Sequence, residues 1–449
     1  MGHQPLGLAS PAAALRLAGH HVDTLDLAVE SPETARFSEV DLIAISMPMH
    51  TAARLGIELA ERIRHRQPQL PIACYGLYAT LIHDRLTRDG LADYIIGGEY
   101  ETALVGLANQ ISSPSARSHV SPVGVGLFPS FPRQQFPLPA RDGLPSLSEY
   151  ARLRIGDEER LTGYVESSRG CAHQCTHCPI TPVYGGRLRL VQPETVLADI
   201  DQLVEAGAQH ITFGDPDFLN AVPHSLAIIE QMHSRYPTLT FDATIKVEHL
   251  LEYTEVLPRL REHGALFITS AFESTNDAIL HHLSKGHVRA DLDRALAATE
   301  DAGLIVRPTW VALTPWTTPD DFLDLLAFIE DHGLVEHVQP VQYAIRLLLP
   351  PGSPLIATLD AEDRLDGFDE DSLTHIWHSN DPRLDLLQLE ISQVVESSAC
   401  TNCDPEPVNE TFRKVKAIAH RHLRGDTDYI EVAQQPRRAV PGLTESWFC

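Results

Sequence analysis

Three cysteines lie within eight residues, at Cys171, Cys175 and Cys178, in the run Arg-Gly-Cys-Ala-His-Gln-Cys-Thr-His-Cys-Pro. Their spacing, C-x3-C-x2-C, places three thiolates on one short loop. Three thiolates can hold three irons of a four-iron cluster and leave the fourth iron without a protein ligand. Because an open iron can bind a small molecule, the pattern predicts a four-iron four-sulfur cluster that acts on a bound ligand.

A structural zinc site is the alternative, and it would combine two of these thiols with His173 or His177. Structural zinc normally has four ligands from paired motifs, and no second pair lies nearby in the sequence. A disulfide is less favoured, because clustered thiols in a reducing compartment are more often metal ligands or catalysts. The spacing therefore favours the iron–sulfur cluster.

Strand-like and helical runs alternate around this loop. Helices are predicted after Gln192, with Gly207 at the end, and after Thr318, with Gly333 at the end. The predicted strands are residues 163–169, 210–214, 240–246, 266–273, 305–313 and 338–345. Six βα units predict a partial (βα)6 barrel, whose site lies at the carboxyl ends of its strands.

An earlier domain, residues 1–111, shows the same alternation, with predicted strands at 22–27, 40–47, 70–75 and 94–96. Between Ala52 and Arg66, an apolar stripe of Leu55, Leu59 and Ile63 predicts a helix that faces a sheet. This pattern predicts a doubly wound α/β domain. We expect its first strand to be missing ahead of Gly2, since residues 2–7 resemble the loop that follows such a strand.

The remaining segments differ in composition. Residues 112–160 carry seven prolines and predict a surface linker, which places the barrel at 161–350. Residues 351–449 are acidic, and we expect an irregular surface region with a helical stretch near 384–395. This region also contains the pair Cys400 and Cys403, which could bind a metal or cycle as a dithiol, and the terminal Cys449.

Length and charge narrow the function classes. The 449 residues exceed the roughly 100–200 of one domain. The net charge of −26 would repel a phosphate backbone, which disfavours a nucleic-acid partner. No run approaches the ~20 apolar residues that cross a bilayer, and the N-terminus does not resemble a signal peptide. We expect a cytosolic protein without a membrane partner.

The cysteine spacing, at the end of the first strand of a βα barrel, resembles the radical S-adenosylmethionine (SAM) superfamily over residues 162–350. In that superfamily the amino and carboxylate groups of SAM chelate the open iron. The reduced cluster then splits SAM into methionine and a 5′-deoxyadenosyl radical, which takes a hydrogen atom from the substrate. The resemblance implies an enzyme with a four-iron four-sulfur cluster and SAM.

The resemblance also implies SAM contacts at successive strand ends. Residues expected to bind SAM are Gly214 and Asp215 (amino group), Glu273 and Ser274 (ribose), Arg307 and Thr309 (carboxylate or ribose), and Tyr343, Ala344 and Ile345 (adenine). Asp215 replaces the acid usual in the family. The catalytic candidates are Asp217, Lys246 and Cys449. Asp217 could instead cap the following helix, and Lys246 could instead extend to solvent.

The N-terminal domain resembles that of the cobalamin-binding subclass, and Gly97-Gly98-Glu99-Tyr100-Glu101 is similar to a stretch near the end of such domains. The Asp-x-His-x-x-Gly signature, whose histidine binds cobalt, does not occur in this sequence. Members of the subclass bind cobalamin without that histidine, and others keep the domain as scaffold. Cobalamin therefore stays open as a cofactor.

The ending Trp447-Phe448-Cys449, with the domain order and the run 271–275, resembles the CUAEP/CCAEP-tail radical SAM (seleno)proteins. In that group, cysteine is followed by selenocysteine or cysteine and then Ala-Glu-Pro. One hypothesis is that a selenocysteine codon was read as a stop after Cys449. The alternative is an ordinary C-terminal cysteine.

The main interpretation is a radical SAM enzyme that generates a 5′-deoxyadenosyl radical and acts on an unidentified small molecule or peptide. An electron donor such as flavodoxin or ferredoxin is expected. One alternative is a cobalamin-dependent radical SAM methyltransferase. The other is a non-catalytic protein whose cysteines handle a metal or selenium.

Overall fold

The structure is a computed structural model that describes residues 2–34, 37–112, 135–399, 406–426 and 440–444. Within these ranges the strands form one three-stranded sheet, one seven-stranded sheet and two hairpins. No helix in the described ranges is both long and apolar enough to span a bilayer.

The N-terminal domain is built on a parallel sheet in the order β1-β2-β3, which confirms the α/β class. Helices on both faces contribute two apolar clusters to its core. The strands are β1 (Ile43–Ser46), β2 (Ile72–Tyr75) and β3 (Tyr94–Ile96), and the helices are α1 (Leu6–Leu17), α2 (His50–Arg66), α3 (Leu77–Leu81), α4 (His83–Arg88) and α5 (Glu101–Ser112).

The strand predicted at 22–27 is wrong, because this segment pairs with no strand among the described residues. Side chains hold it instead. Arg16 donates to the carbonyl of Val22, and Thr24 donates to the carbonyl of Gly143. An apolar run becomes a strand only where a neighbour can complete its hydrogen-bond ladder. A strand ahead of Gly2 stays a prediction.

The apolar stripe predicted on α2 is also wrong in part, since the side chain of Leu55 is 52% exposed. Residues four apart rotate about 40° per step around a helix of 3.6 residues per turn, so the stripe drifts off the buried face. The residues that face the sheet include Ala53, Gly56 and Ala60. Their small size lets α2 approach β1 closely, and a Cβ at Gly56 would lie 2.7 Å from Met47 Cε.

The larger sheet has the order β11-β10-β9-β8-β5-β4-β14 and forms a partial barrel. Five strands are parallel: β5 (Glu158–Val165), β8 (His210–Phe213), β9 (Thr240–Thr244), β10 (Ala265–Glu273) and β11 (Ile305–Trp310). The antiparallel strands β4 (Arg152–Ile155) and β14 (Gly442–Leu443) extend the sheet beyond β5.

Part of the predicted linker belongs to this barrel. Strand β4 lies within residues 112–160, and Leu147 and Tyr150 of the same segment are buried. Residues 113–134, which carry four of the seven prolines, lie outside the described ranges.

Helices pack on the outside of the barrel, and the strand residues that face them are apolar. The alternating residues, such as His210, Thr212 and Asp242, form hydrogen bonds to one another on the inner face. The elements between the strands are the hairpin β6 (Ser168–Gly170) and β7 (Leu188–Leu190) and the helices α6 (Ile180–Tyr184), α7 (Pro193–Glu205), α8 (Val222–Arg235), α9 (Val247–Glu252), α10 (Leu257–Glu262), α11 (Asp277–His282), α12 (Arg289–Asp301) and α13 (Pro319–Asp331).

The partial-barrel class is confirmed, but its sixth strand, predicted at 338–345, is wrong. Residues Pro340–Ala344 form a 3-10 helix, and within the described ranges a single bridge, Leu313 to Arg346, continues the sheet. Proline has no N–H to donate to a ladder, so Pro340 interrupts strand pairing at this position.

The C-terminal region packs against this place. The acidic residues near 360–371 lie in and around a hairpin rather than an irregular segment, whereas the helix expected near 384–395 is confirmed. The elements are α14 (Leu355–Ala361), β12 (Leu365–Asp369), β13 (Thr374–Trp377), α15 (Pro382–Ser398) and α16 (Val408–Arg424). Cys400, Cys403 and Cys449 lie outside the described ranges.

Candidate active site

The cysteine loop connects β6 to α6, and its entry requires a glycine. Gly170 has φ of +74°, and a Cβ there would lie 2.3 Å from the carbonyl oxygen of Arg187. A backbone oxygen cannot move aside cheaply, so the turn into Cys171 admits no larger residue. Cys171, Cys175 and Cys178 all remain free thiols.

The three thiols fit a cluster better than a single ion. Tetrahedral zinc with Zn–S bonds of about 2.3 Å would bring its sulfurs within roughly 3.8 Å of one another. Among the described residues these three sulfurs do not all lie within 4.8 Å, although each cysteine is close enough to affect its neighbours electrostatically. His173 and His177 point to carboxylates instead, namely Asp217 and Glu273.

Burial raises the pKa of the Cys178 thiol to about 11 and also raises the pKa of Cys171. Thiolates at this place therefore need nearby positive charge, which cluster iron would supply. Lys285 lies close enough to favour the thiolate of Cys178, and Asn220 Nδ2 lies 3.5 Å from Cys171 Sγ. The donor set fits a four-iron four-sulfur cluster.

Asp215 anchors the start of the cysteine loop. Its carboxylate accepts hydrogen bonds from the N–H and hydroxyl of Ser167, at 2.9 and 2.7 Å, and from the hydroxyl of Ser168 at 2.5 Å. Burial nevertheless raises its pKa to about 6. Gly214, the preceding residue, leaves room for the Tyr164 hydroxyl, which lies 1.9 Å from where a Cβ would stand. A contact from either residue to SAM stays a prediction.

Glu273 lies at the carboxyl end of β10 with φ of +64°, a left-handed conformation that is costly for a residue other than glycine. Its Oε1 lies 3.1 Å from Lys285 Nζ and 3.4 Å from His177 Nε2. Although burial opposes ionisation, the charge of Lys285 and the contact with His177 lower the pKa of Glu273 to about 2. Ser274 Oγ accepts a hydrogen bond from the N–H of Asn276.

Arg307 and Thr309 lie on β11, the fifth parallel strand, as expected, and their contacts to SAM stay predictions. Arg307 crosses the barrel interior and donates to the carbonyl of Pro441 at 2.9 Å, and burial lowers its pKa to about 10. Thr309 is partly buried on β11 opposite Ala271.

Tyr343 is fully buried against Phe412 of α16, and the carbonyl of Ala344 accepts from Gln388 of α15. These two helices cover the predicted adenine contacts at 343–345, because no sixth strand presents them to the barrel mouth.

Two catalytic candidates, Lys246 and Asp217, lie on either side of His173 at the mouth of the barrel. Lys246 is buried, not extended to solvent, and its Nζ lies 3.1 Å from His173 Nδ1 and forms an ion pair with Glu248. Asp217 caps the next helical turn, accepting from the N–H of Leu219. Its other oxygen faces His249 at 2.7 Å.

Arg169, immediately before the cysteine loop, joins the two domains. Its guanidinium lies 2.9 Å from Glu99 and 2.7 Å from Glu101, which follow β3 of the N-terminal sheet. It also pairs with Glu166 at 3.0 Å and packs over the ring of Tyr100. The carboxyl end of β3 and the cysteine loop are therefore held against each other.

The carboxyl edge of the N-terminal sheet has the features of a cofactor cradle. Gly76, after β2, has φ of +101°, and a Cβ at Gly97, after β3, would lie 2.5 Å from Thr80 Oγ1. That hydroxyl is buried and has no hydrogen-bond partner among the described residues. Met49, after β1, is 48% exposed. An orphaned hydroxyl and exposed apolar surface fit the amide-bearing, apolar corrin ring of cobalamin.

The sequence did not identify Arg169, Lys285 or His249 as site residues. The available signal was a cluster of polar residues. Lys285 lies in such a cluster after α11, and His249 lies in one with Lys246 and Glu248 after β9. Their partners come from distant elements, and only the fold brings these together.

Family models match both domains. The model for the B12 binding domain matches residues 2–108, and the model for the radical SAM superfamily matches residues 165–329.

The curated relatives include the hopanoid C-3 methylase of Methylococcus capsulatus, 26% identical over 324 residues, with 68% of this chain and 62% of the relative covered. The anaerobic magnesium-protoporphyrin IX monomethyl ester cyclase of Synechocystis is 24% identical over 347 residues, covering 72% of this chain and 67% of the relative. This chain thus spans less than two thirds of the methylase.

Solved structures share the whole fold. The cobalamin-dependent SAM radical enzyme OxsB, with aqua-cobalamin and SAM bound, superposes with a TM-score of 0.71 at 15% identity, covering 94% of this chain and 70% of OxsB. The radical SAM methyltransferase TsrM from Kitasatospora setae gives 0.62 at 16% identity, with 94% and 86% covered. The chain thus contains a B12-binding domain followed by a radical SAM domain, and its fold is that of the cobalamin-dependent radical SAM enzymes.

Proposed function

We propose that this enzyme transfers a methyl group to a small organic substrate and uses cobalamin as well as SAM. The comparisons favour this reading, first held as the alternative, over radical chemistry without cobalamin. The observation that carries it is the contact of Arg169 with Glu99 and Glu101. This contact places the carboxyl edge of the N-terminal sheet, which would hold cobalamin, against the cysteine loop, which would hold the cluster.

When bound, the cluster supplies an electron to SAM, and cobalamin supplies a cobalt centre that carries the methyl group. Cys171, Cys175 and Cys178 would hold the cluster, and Thr80 would bind a corrin amide through its orphaned hydroxyl. The protein supplies position and electrostatics.

The residues at the barrel mouth are proposed to bind SAM and to orient the cysteine loop. Oε1 of Glu273 contacts Lys285 and His177, so Oε2 is the oxygen proposed to accept the ribose hydroxyls of SAM. Asp215 keeps Ser167 and Ser168 fixed, and these residues lead directly into the cysteine loop. The left-handed backbone at Glu273 helps to position its carboxylate before SAM binds.

The test is anaerobic turnover of the full chain, reconstituted with iron, sulfide and hydroxocobalamin and supplied with a strong reductant and SAM carrying a deuterated methyl group. We expect both S-adenosylhomocysteine and 5′-deoxyadenosine to form. Formation of S-adenosylhomocysteine should depend on cobalamin. Cys175→Ala should lose 5′-deoxyadenosine formation, since the cluster loses one of its three ligands. 5′-Deoxyadenosine alone, at a rate indifferent to cobalamin, contradicts the proposal.

Cobalamin binding is checked separately by absorbance titration. Thr80→Val removes the orphaned hydroxyl while keeping the shape of the side chain, and it should weaken cobalamin binding. Thr87→Val, on the exposed face of α4, is the matched control and should bind as the wild type does. Equal affinities for the two variants would remove Thr80 from the cobalamin site.

The electron donor, proposed to be a flavodoxin or ferredoxin, and a small-molecule or peptide substrate both fit this chemistry. A hydrogen-donor or substrate-binding role for Cys449 stays a prediction.

A further inference from the structure

Two histidines and an aspartate converge beside the cysteine loop, and the proposed function assigns them nothing. His173 lies within that loop, Asp217 follows β8, and His249 is in α9. One ligand atom from each, His173 Nε2, Asp217 Oδ2 and His249 Nδ1, lies within 4.8 Å of the other two. Oδ2 of Asp217 is 2.7 Å from the His249 nitrogen and 3.4 Å from the His173 nitrogen.

All three atoms are buried, and in the described part of the chain none makes a well-formed hydrogen bond. Native proteins leave few buried polar atoms unsatisfied, because each costs about 1–3 kcal/mol. Asp217 Oδ2 lies at ion-pair distance from both histidine nitrogens, and a common partner would satisfy the hydrogen-bonding capacity that these contacts leave unused. An ion at their centre would satisfy all of them at once.

The spacing suits a small divalent cation. Bonds of about 2.0–2.1 Å from a tetrahedral ion to nitrogen or oxygen place neighbouring ligand atoms roughly 3.3 Å apart. The two distances from Asp217 Oδ2 bracket this value, and the two histidine nitrogens lie within 4.8 Å of each other. Two imidazoles and one carboxylate form a donor set that zinc and its neighbours in the first transition row accept.

Further contacts orient these ligands, as is usual around bound metals. Asp217 uses its other oxygen to accept from the N–H of Leu219, so its ligating oxygen is fixed. The ring of Tyr253 packs 5.3 Å from that of His249. His173 Nδ1 lies 3.1 Å from Lys246 Nζ and 3.6 Å from Glu248 Oε2.

Metal binding decides between two tautomers of His173. Without an ion, Nδ1 accepts from Lys246, and the ring proton lies on Nε2 toward Asp217. Coordination by Nε2 moves that proton to Nδ1, which then faces the carboxylate of Glu248 at 3.6 Å. Lys246 Nζ is also a donor, so it must turn away from Nδ1, and it keeps its ion pair with Glu248.

We propose that His173, Asp217 and His249 form a mononuclear site for zinc or a similar late divalent cation, separate from the cluster. Three protein ligands leave a fourth position open to water or to an anionic group of the substrate. The ion would lie beside the cluster, since Asp217 is close enough to influence Cys171. This site does not depend on methyl transfer.

The test uses the full chain with its cluster reconstituted anaerobically, so that the thiols of the loop are occupied by iron. Zinc is then titrated in, unbound metal is removed, and iron and zinc are measured by mass spectrometry. We expect one zinc per chain beyond the cluster iron. X-ray absorption at the zinc edge should show nitrogen and oxygen at about 2.0–2.1 Å rather than sulfur at about 2.3 Å.

Variants connect this zinc to the three residues. His249→Ala and Asp217→Asn should each abolish the extra zinc while keeping the cluster iron, and the asparagine retains the cap to Leu219. Glu248→Gln should weaken zinc binding by about tenfold, as loss of a residue that orients a ligand does. His263→Ala, at the surface of the same barrel, is the matched control and should keep the zinc.

Three results would overturn the site. The first is a wild-type chain that retains no zinc after titration, and the second is a zinc shell dominated by sulfur. The third is retention of full zinc by both His249→Ala and Asp217→Asn. If His249→Ala fails to load its cluster, Asp217→Asn, which changes only charge, decides the outcome.

Discussion

At the scale of single residues, the barrel mouth depends on a buried charge pair. Glu273 combines a left-handed backbone with a carboxylate held by Lys285, 3.1 Å away. Strain of that kind, about 1–3 kcal/mol, persists only where surrounding contacts enforce it. Here the N–H of Val311 binds the Glu273 carbonyl, while Lys285 and His177 bind its side chain.

Lys285→Met should therefore destabilise the chain by about 3 kcal/mol, because it leaves a buried carboxylate without its partner. The measurement is urea unfolding of the cluster-free protein at neutral pH. Lys414→Met removes an exposed lysine that pairs with Glu406 and should change little. Equal losses in the two variants would contradict the importance of the buried pair.

The burial of His3 predicts that the stability of the fold depends on pH. It stacks on Tyr164 with its Nδ1 buried, and burial lowers its pKa to about 4. Between this value and the ordinary 6.5, the unfolded chain binds the proton more readily, so stability rises with pH through that window and is complete above it. His3→Phe keeps the stacking and should lose less stability than the wild type between pH 7 and pH 5.

Unfolding midpoints in urea at the two pH values provide the comparison for His3. His263→Phe, at the surface, should keep the wild-type pH dependence. A His3→Phe midpoint that falls as steeply as that of the wild type would mean that His3 does not contribute.

At the scale of elements, two glycines in helices of the N-terminal domain have opposite surroundings. A Cβ at Gly56 of α2 would meet Met47 at 2.7 Å, whereas one at Gly106 of α5 would meet no atom within 4 Å. Gly56→Ala should destabilise the protein by about 1 kcal/mol through overpacking. Gly106→Ala should stabilise it by about 0.5–1 kcal/mol through helix propensity. Thermal unfolding of the pair checks both signs, and equal shifts would contradict the packing described for α2.

Elements with local signals were predictable from the sequence. Helix α13 begins at the cap Thr318, which exchanges hydrogen bonds with Asp321, and Gly333 follows with φ of +68°. The segments at 22–27 and 338–345 were not predictable, since strand formation depends on a neighbour that lies elsewhere in the chain. Spacing also identified the three-cysteine loop, because all of its ligands are local.

The other site residues could not be predicted in the same way. Lys285 meets Glu273 from twelve residues away, and His249 meets Asp217 from the following βα unit. Arg169 finds its partners about seventy residues earlier, in the other domain. Such pairings depend on the packing of the sheets, which no local pattern encodes.

At the scale of the whole molecule, Arg169 lies at the interface between the two domains, where it pairs with Glu99, Glu101 and Glu166. Burial raises the pKa of Glu99 and of Glu166, while the charge of Arg169 outweighs burial and lowers the pKa of Glu101. Arg169→Met should cost about 3–5 kcal/mol, because these buried acids lose their partner. We expect calorimetry to change from one transition to two as the domains uncouple.

Arg154→Met is the matched control for this prediction, since Arg154 forms an exposed pair with Glu159 within a hairpin. It should leave a single transition at nearly the wild-type temperature. A single, unshifted transition for Arg169→Met would mean that the interface is held by other contacts.

The open barrel has two edge strands, β11 and β14, and the Arg307 guanidinium on one edge binds the Pro441 carbonyl beside the other. A sheet that does not close has no continuous hydrogen-bond ladder to fix its curvature. The hydrogen bond from Arg307 to Pro441 links the two edges and opposes their separation. A shorter residue at 307 would change the curvature of the sheet, and with it the size of molecule that the mouth admits.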